Sequence, residues 1–557
     1  MTSDGDAAGR LRYASARGRI VLLATVLGSG IAFLDATVVN VALPAIGEDL
    51  DAGLSGLQWT VNAYALTLAG LLLIGGSLGD HFGRRRVFVI GVAWFAVASL
   101  LCTVAPTVEL LVAARAVQGV GAALLTPGSL AILQASFHPD DRGAAIGAWS
   151  GLAGITTAIG PFLGGWLVEA VSWRLIFLIN LPIAAVVLWA ARAIPESRDE
   201  SVQGQRLDLT GAALTALGLA GVTYALTEGP SGGWGEPAVV VLGLLGVAAL
   251  VAFVPAERRS RHPLVPLDMF RSREFSVANG LTFLVYGALG AAFFLLPIQL
   301  QVVAGFSPIA SGAALVPMTV VMLLLSKRAG RLAARIGPRL PMGIGPILAS
   351  AGLLLMLRIG PGADYVTDVL PGVIVFALGM SLTVAPLNVT VLGAAGAARA
   401  GVASAVNNAV ARVAGLLAVA VIPVVAGIAG GDALVPADFD AGFATGMVIC
   451  AALCASGGVV ALAGIRPAAP EAPEVTPAHC ALNGPPPPSG APARRAPRRC
   501  APSAAWAGSR PPRRPPRSSA PRSPTPATAA PAGRCGCPTP PSPPARPGLR
   551  SGRPSRP

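Results

Sequence analysis

Long runs of apolar residues, each bounded by a short polar segment, are the feature that most limits how this chain can fold. A bilayer core needs about 20 apolar residues per helix. Lipid offers the backbone no hydrogen-bond partner, so each run is predicted to be helical. Fourteen runs occur, with approximate limits 20–43, 57–78, 87–105, 109–133, 143–168, 173–191, 208–228, 237–255, 275–298, 309–326, 341–359, 370–394, 402–429 and 442–465. The sequence therefore predicts an all-α polytopic membrane protein.

Basic residues predict how these spans are oriented. Residues 1–465 hold 26 Lys and Arg, and 22 of them fall in the N-terminal segment or in loops after even-numbered spans. Cytoplasmic loops of membrane proteins carry the excess of Lys and Arg. We therefore expect both termini in the cytoplasm, an even number of spans, and a location in the cell membrane.

The segment 466–557 has a different character from the rest of the chain. It carries a net charge of +13 out of +14 for the whole chain, and 27 of the 50 Pro. Such a segment cannot bury a core, so we expect it to be disordered. Three interpretations stay open: a ligand for proline-recognising domains or anionic lipid, an unstructured appendage, or an out-of-frame translation after about Pro485. Because the charge is confined to this tail, the high pI does not indicate a nucleic-acid partner.

Residue patterns typical of enzymes and metal sites do not occur. The seven Cys form no pair of CxxC motifs, and no His stands at zinc-finger spacing. There is no phosphate-binding loop of the Walker type and no Ser/His/Asp arrangement. We expect no cofactor, no metal and no enzymatic activity, so transport would draw its energy from an ion gradient.

Five motifs lie in order within the first six runs. They are LDATVVNVALP at 34–44, GSLGDHFGRRR at 76–86, RAVQGVG at 115–121, GPFLGG at 160–165, and SWR at 172–174 followed by FLINLP at 177–182. Over residues 20–465 this set resembles the major facilitator superfamily, and specifically its fourteen-span drug:proton antiporter branch. Thr156 departs from the pattern, since Gly is frequent there. A weaker echo of the second motif, without its acidic residue, lies at 330–339.

The resemblance implies two six-helix bundles around a central cavity, with two extra central helices, and a monomer. The corresponding division is a cytoplasmic N-terminus at 1–19, a first bundle at 20–191, a linker with inserted spans 7 and 8 at 192–274, a second bundle at 275–465 and the tail at 466–557.

Asp35 and Arg115 are the charged residues that we expect to matter most. A carboxylate inside a span costs about 2.5–3.5 kcal/mol on insertion scales and usually marks a transport pathway. At 1.5 Å per residue, both side chains lie about 8–9 Å from the outer face. The family fold places spans 1 and 4 side by side. We hypothesise that Arg115 pairs with Asp35 and is released when Asp35 takes up a proton; the alternative is a static structural pair.

The other candidate residues fall into four groups. The resemblance implies a latch between the bundles formed by Gly76, Gly79, Asp80, Gly83, Arg84, Arg85 and Arg86, in which Gly79 and Gly83 allow a tight turn and Asp80 meets a helix N-terminus. The span-4 motif contains Arg115, Gln118, Gly119 and Gly121. The antiporter motif contains Gly160, Pro161, Gly164 and Gly165. Possible polar residues of the cavity are Asn40, Asn279, Gln299, Asn388, Asn407, Asn408 and Arg412, although helix packing suits most of the second-half members.

The resemblance implies export of drugs, antibiotics or other small amphipathic or cationic molecules in exchange for protons. Two alternatives stay open: a dedicated exporter of one metabolite, and a membrane sensor or scaffold that does not transport. The intact set of Asp35, Asp80 and Arg115 argues against the sensor or scaffold.

Overall fold

Helices account for nearly all of the part of the chain that the computed structural model describes, which is residues 10–198, 208–260, 263–396, 399–428 and 435–466. Within these ranges the β-structure is one isolated bridge between Leu11 and Phe137. The segment 1–9 and almost all of the predicted tail lie outside the described residues. The all-α prediction is confirmed.

Sixteen α-helices are described, several of them joined by single 3₁₀ or π turns. In chain order they are α1 (Ala16–Leu50), α2 (Leu54–Phe82), α3 (Arg84–Thr103), α4 (Val108–Ser136), α5 (Pro139–Ala170), α6 (Leu175–Leu178), α7 (Asn180–Ala190), α8 (Leu209–Gly232), α9 (Pro237–Arg259), α10 (Arg273–Ile298), α11 (Pro308–Ala313), α12 (Val316–Ile336), α13 (Arg339–Leu355), α14 (Leu370–Ala395), α15 (Ala400–Val425) and α16 (Pro436–Gly464).

Thirteen helical stretches among the described residues are long and apolar enough to cross a membrane. Two of them join short helices into one span each, at Leu175–Ala193 and Pro308–Ile336. Helix α5 is not among the thirteen, but it is 32 residues long and takes the position of the predicted fifth span. The count of fourteen spans stays a prediction.

Side-chain caps set where several helices begin. The Ser15 hydroxyl accepts a hydrogen bond from the Gly18 amide at the start of α1, and Ser272 does the same for Phe275 at the start of α10. Pro139 occupies the first turn of α5, where its missing N–H costs nothing. These caps satisfy amides that have no partner within the helix.

Small residues allow the helices of each half to pack closely. In the first half, a Cβ on Gly121 would lie within 3.0 Å of the Phe95 backbone, so α3 and α4 need glycine there. In the second half, Gly352 meets the backbone of Phe376 in the same way. Such contacts bring backbones together where no hydrophobic effect drives helix association.

Helices α8 and α9 pack against each other, and α8 also packs against α2 and α15. The Trp59 indole N–H donates to the Glu228 carboxylate over 2.6 Å, which ties α8 to α2. Helix α9 exposes a row of large apolar residues, including Leu244 and Val251. These are the predicted inserted spans, and they lie beside the junction of the two halves.

Candidate functional site

Asp35 and Arg115 form a buried ion pair between α1 and α4. One Asp35 oxygen lies 2.5 Å from the Arg115 guanidinium, and the two side chains are 0% and 1% exposed. Helix rise predicted that Asp35 and Arg115 lie at the same depth, and in the structure the two side chains are in direct contact. A charge buried this deeply is tolerated only when it is paired and hydrogen-bonded.

Three further polar side chains complete the network around Asp35. Its second oxygen accepts hydrogen bonds from the Gln118 amide at 2.9 Å and from the Asn180 amide at 3.2 Å. Both amides also lie within hydrogen-bond distance of the Ser99 hydroxyl. Each carboxylate oxygen thus has its own donor, and the pair with Arg115 is not bidentate.

Arg115 is held from several other directions. It donates to the Thr60 carbonyl at 3.0 Å and to the Gln118 side-chain oxygen at 2.6 Å. Its guanidinium also stacks over the ring of Tyr64, 4.3 Å from the centroid, and lies 5.6 Å from that of Phe177. Four helices, α1, α2, α4 and the short α6, therefore meet at one side chain.

A central cavity of about 450 Å³ lies between the two halves. Residues from α1, α2 and α4 line one side, and residues from α10 and α15 line the other. Its walls are largely aromatic and aliphatic, with Phe33, Tyr286 and Phe293 among them. Arg115 belongs to this lining, so the buried ion pair borders the cavity.

The predicted polar residues separate into cavity and packing groups. Those that line the cavity are Asn40, Asn408 and Arg412. Those that bond helix to helix are Asn279 and Asn407, joined at 3.1 Å, and Gln299, which donates to the Ile359 carbonyl and the Asp440 carboxylate. Asn388 is exposed on α14 and does not line this cavity.

Among the described residues that line the cavity, Arg412 is the one charged group from the second half. Its guanidinium lies 5.7 Å from the centroid of the Phe33 ring, across the cavity on α1. In the described part of the chain, Arg412 forms no ion pair with a carboxylate. The cavity lining thus holds two guanidinium groups and no carboxylate.

The antiporter motif on α5 packs against both halves. Gly160 leaves no room for a Cβ beside Thr37 of α1, and a Cβ on Gly164 would lie tightly against Val38, both just after Asp35. Gly165 meets the backbone of Pro308 in the second half. The carbonyl of Pro161 in turn blocks a Cβ on Gly312. The motif thus connects the segment of α1 that carries Asp35 to the second half.

The contacts between α5 and the second half lie at one end of the helices. We call the end where α3, α5, α10 and α13 begin, with Arg84, Arg142, Arg273 and Arg339, the basic end. At the opposite end, the Gln58 amide donates to the Val419 carbonyl and the Gln301 amide to the Val41 carbonyl, each across the halves. The Ile309 amide donates to Glu169 there as well. The cavity is therefore sealed at the end opposite the basic end.

The predicted latch makes its contacts within the first half. Asp80 accepts hydrogen bonds from Arg84, the first residue of α3, at 2.8 Å. The Arg84 amide donates to the Ser197 carbonyl and the Arg85 amide to Glu196, both past the end of α7. In this structure the loop thus ties spans 2 and 3 to the end of span 6.

Only one of the two glycines that we assigned to the turn of this loop makes it. Gly83 has φ of +110°, which favours glycine, and a Cβ there would collide with Glu196. Gly79 still belongs to α2, and its nearest neighbour would lie 3.8 Å from a Cβ. Gly76 has similar space. The turn prediction was wrong for Gly79, because α2 continues to Phe82 before the chain reverses.

Several residues of the network escaped the sequence analysis as site residues. Asn180 was quoted only within a motif, and Ser99, Thr60 and Tyr64 were not named as candidates. Asn180 bonds to Asp35, Thr60 and Tyr64 of α2 contact Arg115, and Ser99 of α3 bonds to Asn180 and Gln118. A polar residue in an apolar run was the available signal for Ser99 and Asn180, but spacing does not show which helices meet.

Comparison with known proteins gives the family. The profile of the Major Facilitator Superfamily matches residues 25–419. The puromycin resistance protein pur8 of Streptomyces alboniger is 39% identical over 73% of this chain and 80% of its own. The tetracenomycin C resistance and export protein of Streptomyces glaucescens is 35% identical over 74% and 76%. A solved POT family transporter in complex with a thioalcohol-conjugated peptide covers 80% of this chain and 95% of its own, with a TM-score of 0.61 and 13% identity. The chain belongs to the Major Facilitator Superfamily.

Proposed function

We propose that this protein exports small amphipathic antibiotics or drugs from the cytoplasm across the cell membrane in exchange for protons. The observation that carries the proposal is the position of Arg115, which binds the buried Asp35 and also borders the central cavity. The names of the relatives, which refer to antibiotic resistance and export, support the same activity.

The geometry suggests how a proton would act. Protonation of Asp35 removes the negative charge that holds the Arg115 guanidinium. A guanidinium that loses its buried counter-charge is strongly destabilised where it stands. Arg115 would then shift toward the cavity, where its other partners, Gln118 and the Thr60 carbonyl, still reach it. Proton uptake would thus change the lining of the cavity in which a substrate binds.

The same event can reach the sealed end through α1. Thr37 and Val38 follow Asp35 by two and three residues and meet Gly160 and Gly164 of α5. Helix α5 in turn seals against Pro308 and Gly312. A ligand or proton shifts a two-state protein only if it binds the two states differently. The difference would come from the contacts that α1 makes with Arg115 through Asp35 and with α5 through Thr37 and Val38.

Orientation completes the proposal. Positive-inside reasoning assigns the basic end to the cytoplasm. A cavity sealed at the opposite end is the state that would load substrate from the cytoplasm. We infer a monomer as the transporting unit, because the two halves of the chain enclose the cavity from opposite sides.

Transport by the purified full-length protein in proteoliposomes tests the function. The probes are puromycin, tetracenomycin C and the uncharged dye Nile red, with and without an imposed proton gradient. We expect movement of at least one probe that requires the gradient, together with proton counterflow reported by a pH-sensitive dye. Gradient-dependent movement of none of them, by a correctly inserted protein, would exclude broad-specificity drug antiport.

The charge of the cavity predicts its substrate preference. Asp35 neutralises Arg115, whereas Arg412 lines the cavity without a carboxylate partner among the described residues. A fixed cation such as ethidium would therefore be repelled by Arg412, and uncharged amphipathic molecules would be favoured. We therefore expect cationic substrates, part of the sequence-based expectation, to be poorly carried. Arg412→Gln should raise the ratio of ethidium to Nile red transport by about tenfold, which equals 1.4 kcal/mol. Asn408→Ala, which alters the lining without a charge, should leave the ratio unchanged.

A further inference from the structure

A second concave surface lies on the flank of α12 that faces away from the central cavity. It encloses about 550 Å³ and is formed by residues 325–335 of α12, Leu348 of α13 and residues 378–382 of α14. On the other flank of this span, Leu315, Met318 and Thr319 face the protein centre and line a separate small pocket. We call the outer surface the α12 crevice.

The α12 crevice opens toward the lipid. Its neighbours on α12, Leu324 and Leu332, are exposed, and so are Ile344 and Ile347 on α13. In a membrane protein, large apolar side chains left exposed along a span contact acyl chains. The crevice is therefore accessible from the bilayer.

Three arginines line this apolar crevice without a protein counter-charge. Arg328, Arg331 and Arg335 are exposed and follow one another at intervals of three and four residues, so they share one side of α12. In the described part of the chain none of them pairs with a carboxylate; Arg328 donates to the Leu324 carbonyl at 3.3 Å. The missing counter-charge is explained by the sequence repeat. Arg84 pairs with Asp80 in the first half, whereas the weaker copy of this motif at 330–339 has no acidic residue.

The crevice lies at the level of the lipid headgroups at the basic end. The span Pro308–Ile336 has 29 residues, so it is about 43 Å long. The hydrocarbon core is about 30 Å thick, so the last turns of α12 extend past it. Arg328, Arg331 and Arg335 all lie in those turns, after the predicted span at 309–326. A phosphate at this level offers an unpaired guanidinium both charge and paired acceptors.

We propose that the α12 crevice binds one anionic phospholipid from the leaflet at the basic end. Its phosphate lies among Arg328, Arg331 and Arg335, and an acyl chain follows Leu325, Leu348 and Leu378. The span that contains α11 and α12 also makes the seal with α5, so the lipid contacts an element that must move during transport. The site does not depend on the identity of the drug or on proton coupling.

Native mass spectrometry of the delipidated full-length protein tests this site, with phosphatidylglycerol and phosphatidylcholine as probes. We expect wild type to retain one phosphatidylglycerol at least tenfold more tightly than phosphatidylcholine. The variant Arg328→Gln/Arg331→Gln/Arg335→Gln should lose this preference. Lys327→Gln is the matched control, because it removes a charge from the same helix outside the crevice, and it should bind as wild type does.

Two results would overturn the proposal. One is a triple variant that keeps the phosphatidylglycerol preference while its melting temperature equals that of wild type. The other is displacement of the bound lipid by glycerol 3-phosphate at millimolar concentration, which would indicate a phosphate site that needs no acyl chain. Because the three side chains are exposed, the variant should fold; if it does not, the three single substitutions should each weaken binding by several-fold.

Discussion

Asp35→Asn should abolish proton-driven transport while substrate binding is retained. The asparagine keeps the size of the side chain and one acceptor oxygen, but it cannot exchange a proton or neutralise Arg115. We expect gradient-driven Nile red transport in proteoliposomes to fall at least a hundredfold, with binding measured by dye fluorescence within about threefold of wild type. A variant that still moves dye only under a proton gradient would show that the coupling group lies elsewhere.

The stability of Asp35→Asn distinguishes a loss of proton coupling from a loss of structural integrity. Removing one partner of a buried pair leaves an uncompensated charge and costs about 3–5 kcal/mol. Asp35→Asn should therefore lower the melting temperature in detergent. The double variant Asp35→Asn/Arg115→Gln removes both charges and should recover most of the lost stability, since contacting residues are not additive. It should stay uncoupled. Recovered transport in the double variant would mean that only structural integrity was lost.

Gly165→Ala should stop transport although it adds only one methyl group. Its Cβ would collide with the backbone of Pro308, and a backbone cannot move aside as a flexible side chain can. The seal between α5 and the second half should therefore open, and the resting state should shift toward exposure at the end opposite the basic end. We expect transport to fall at least tenfold. A cysteine at Asn40, which lines the cavity, should react faster with an impermeant thiol reagent added from that side.

Gly143→Ala and Gly147→Ala are the matched controls on the same helix. A Cβ at either position meets nothing within 4 Å. Alanine favours a helix over glycine by about 1 kcal/mol, so both variants should be as stable as wild type or slightly more so and should transport normally. Equal activity and equal thiol reactivity in Gly165→Ala and the controls would show that transport does not need the close contact between Gly165 and Pro308.

The sequence by itself determined the all-helical fold, and it predicted the spans and the relative depths of their charges. Hydrophobic thickness sets the length of each apolar run, and a rise of 1.5 Å per residue converts position along a helix into depth. This is why Asp35 and Arg115 could be placed at one level from opposite ends of two spans. Glycine motifs were also readable, because glycine allows the close contacts of Gly160 with Thr37, of Gly164 with Val38 and of Gly165 with Pro308.

Only the tertiary structure decided which partners meet and which way each side chain faces. Asn407 and Asn408 are adjacent in the same run, yet Asn407 bonds to Asn279 and Asn408 lines the cavity, because successive residues on a helix differ by about 100° in direction. Asn180 of α7 bonds to Asp35, and Ser99 of α3 bonds to Asn180 and Gln118, although these helices are far apart in the chain. Such contacts depend on how whole helices pack, and no local pattern of apolar and polar residues contains that information.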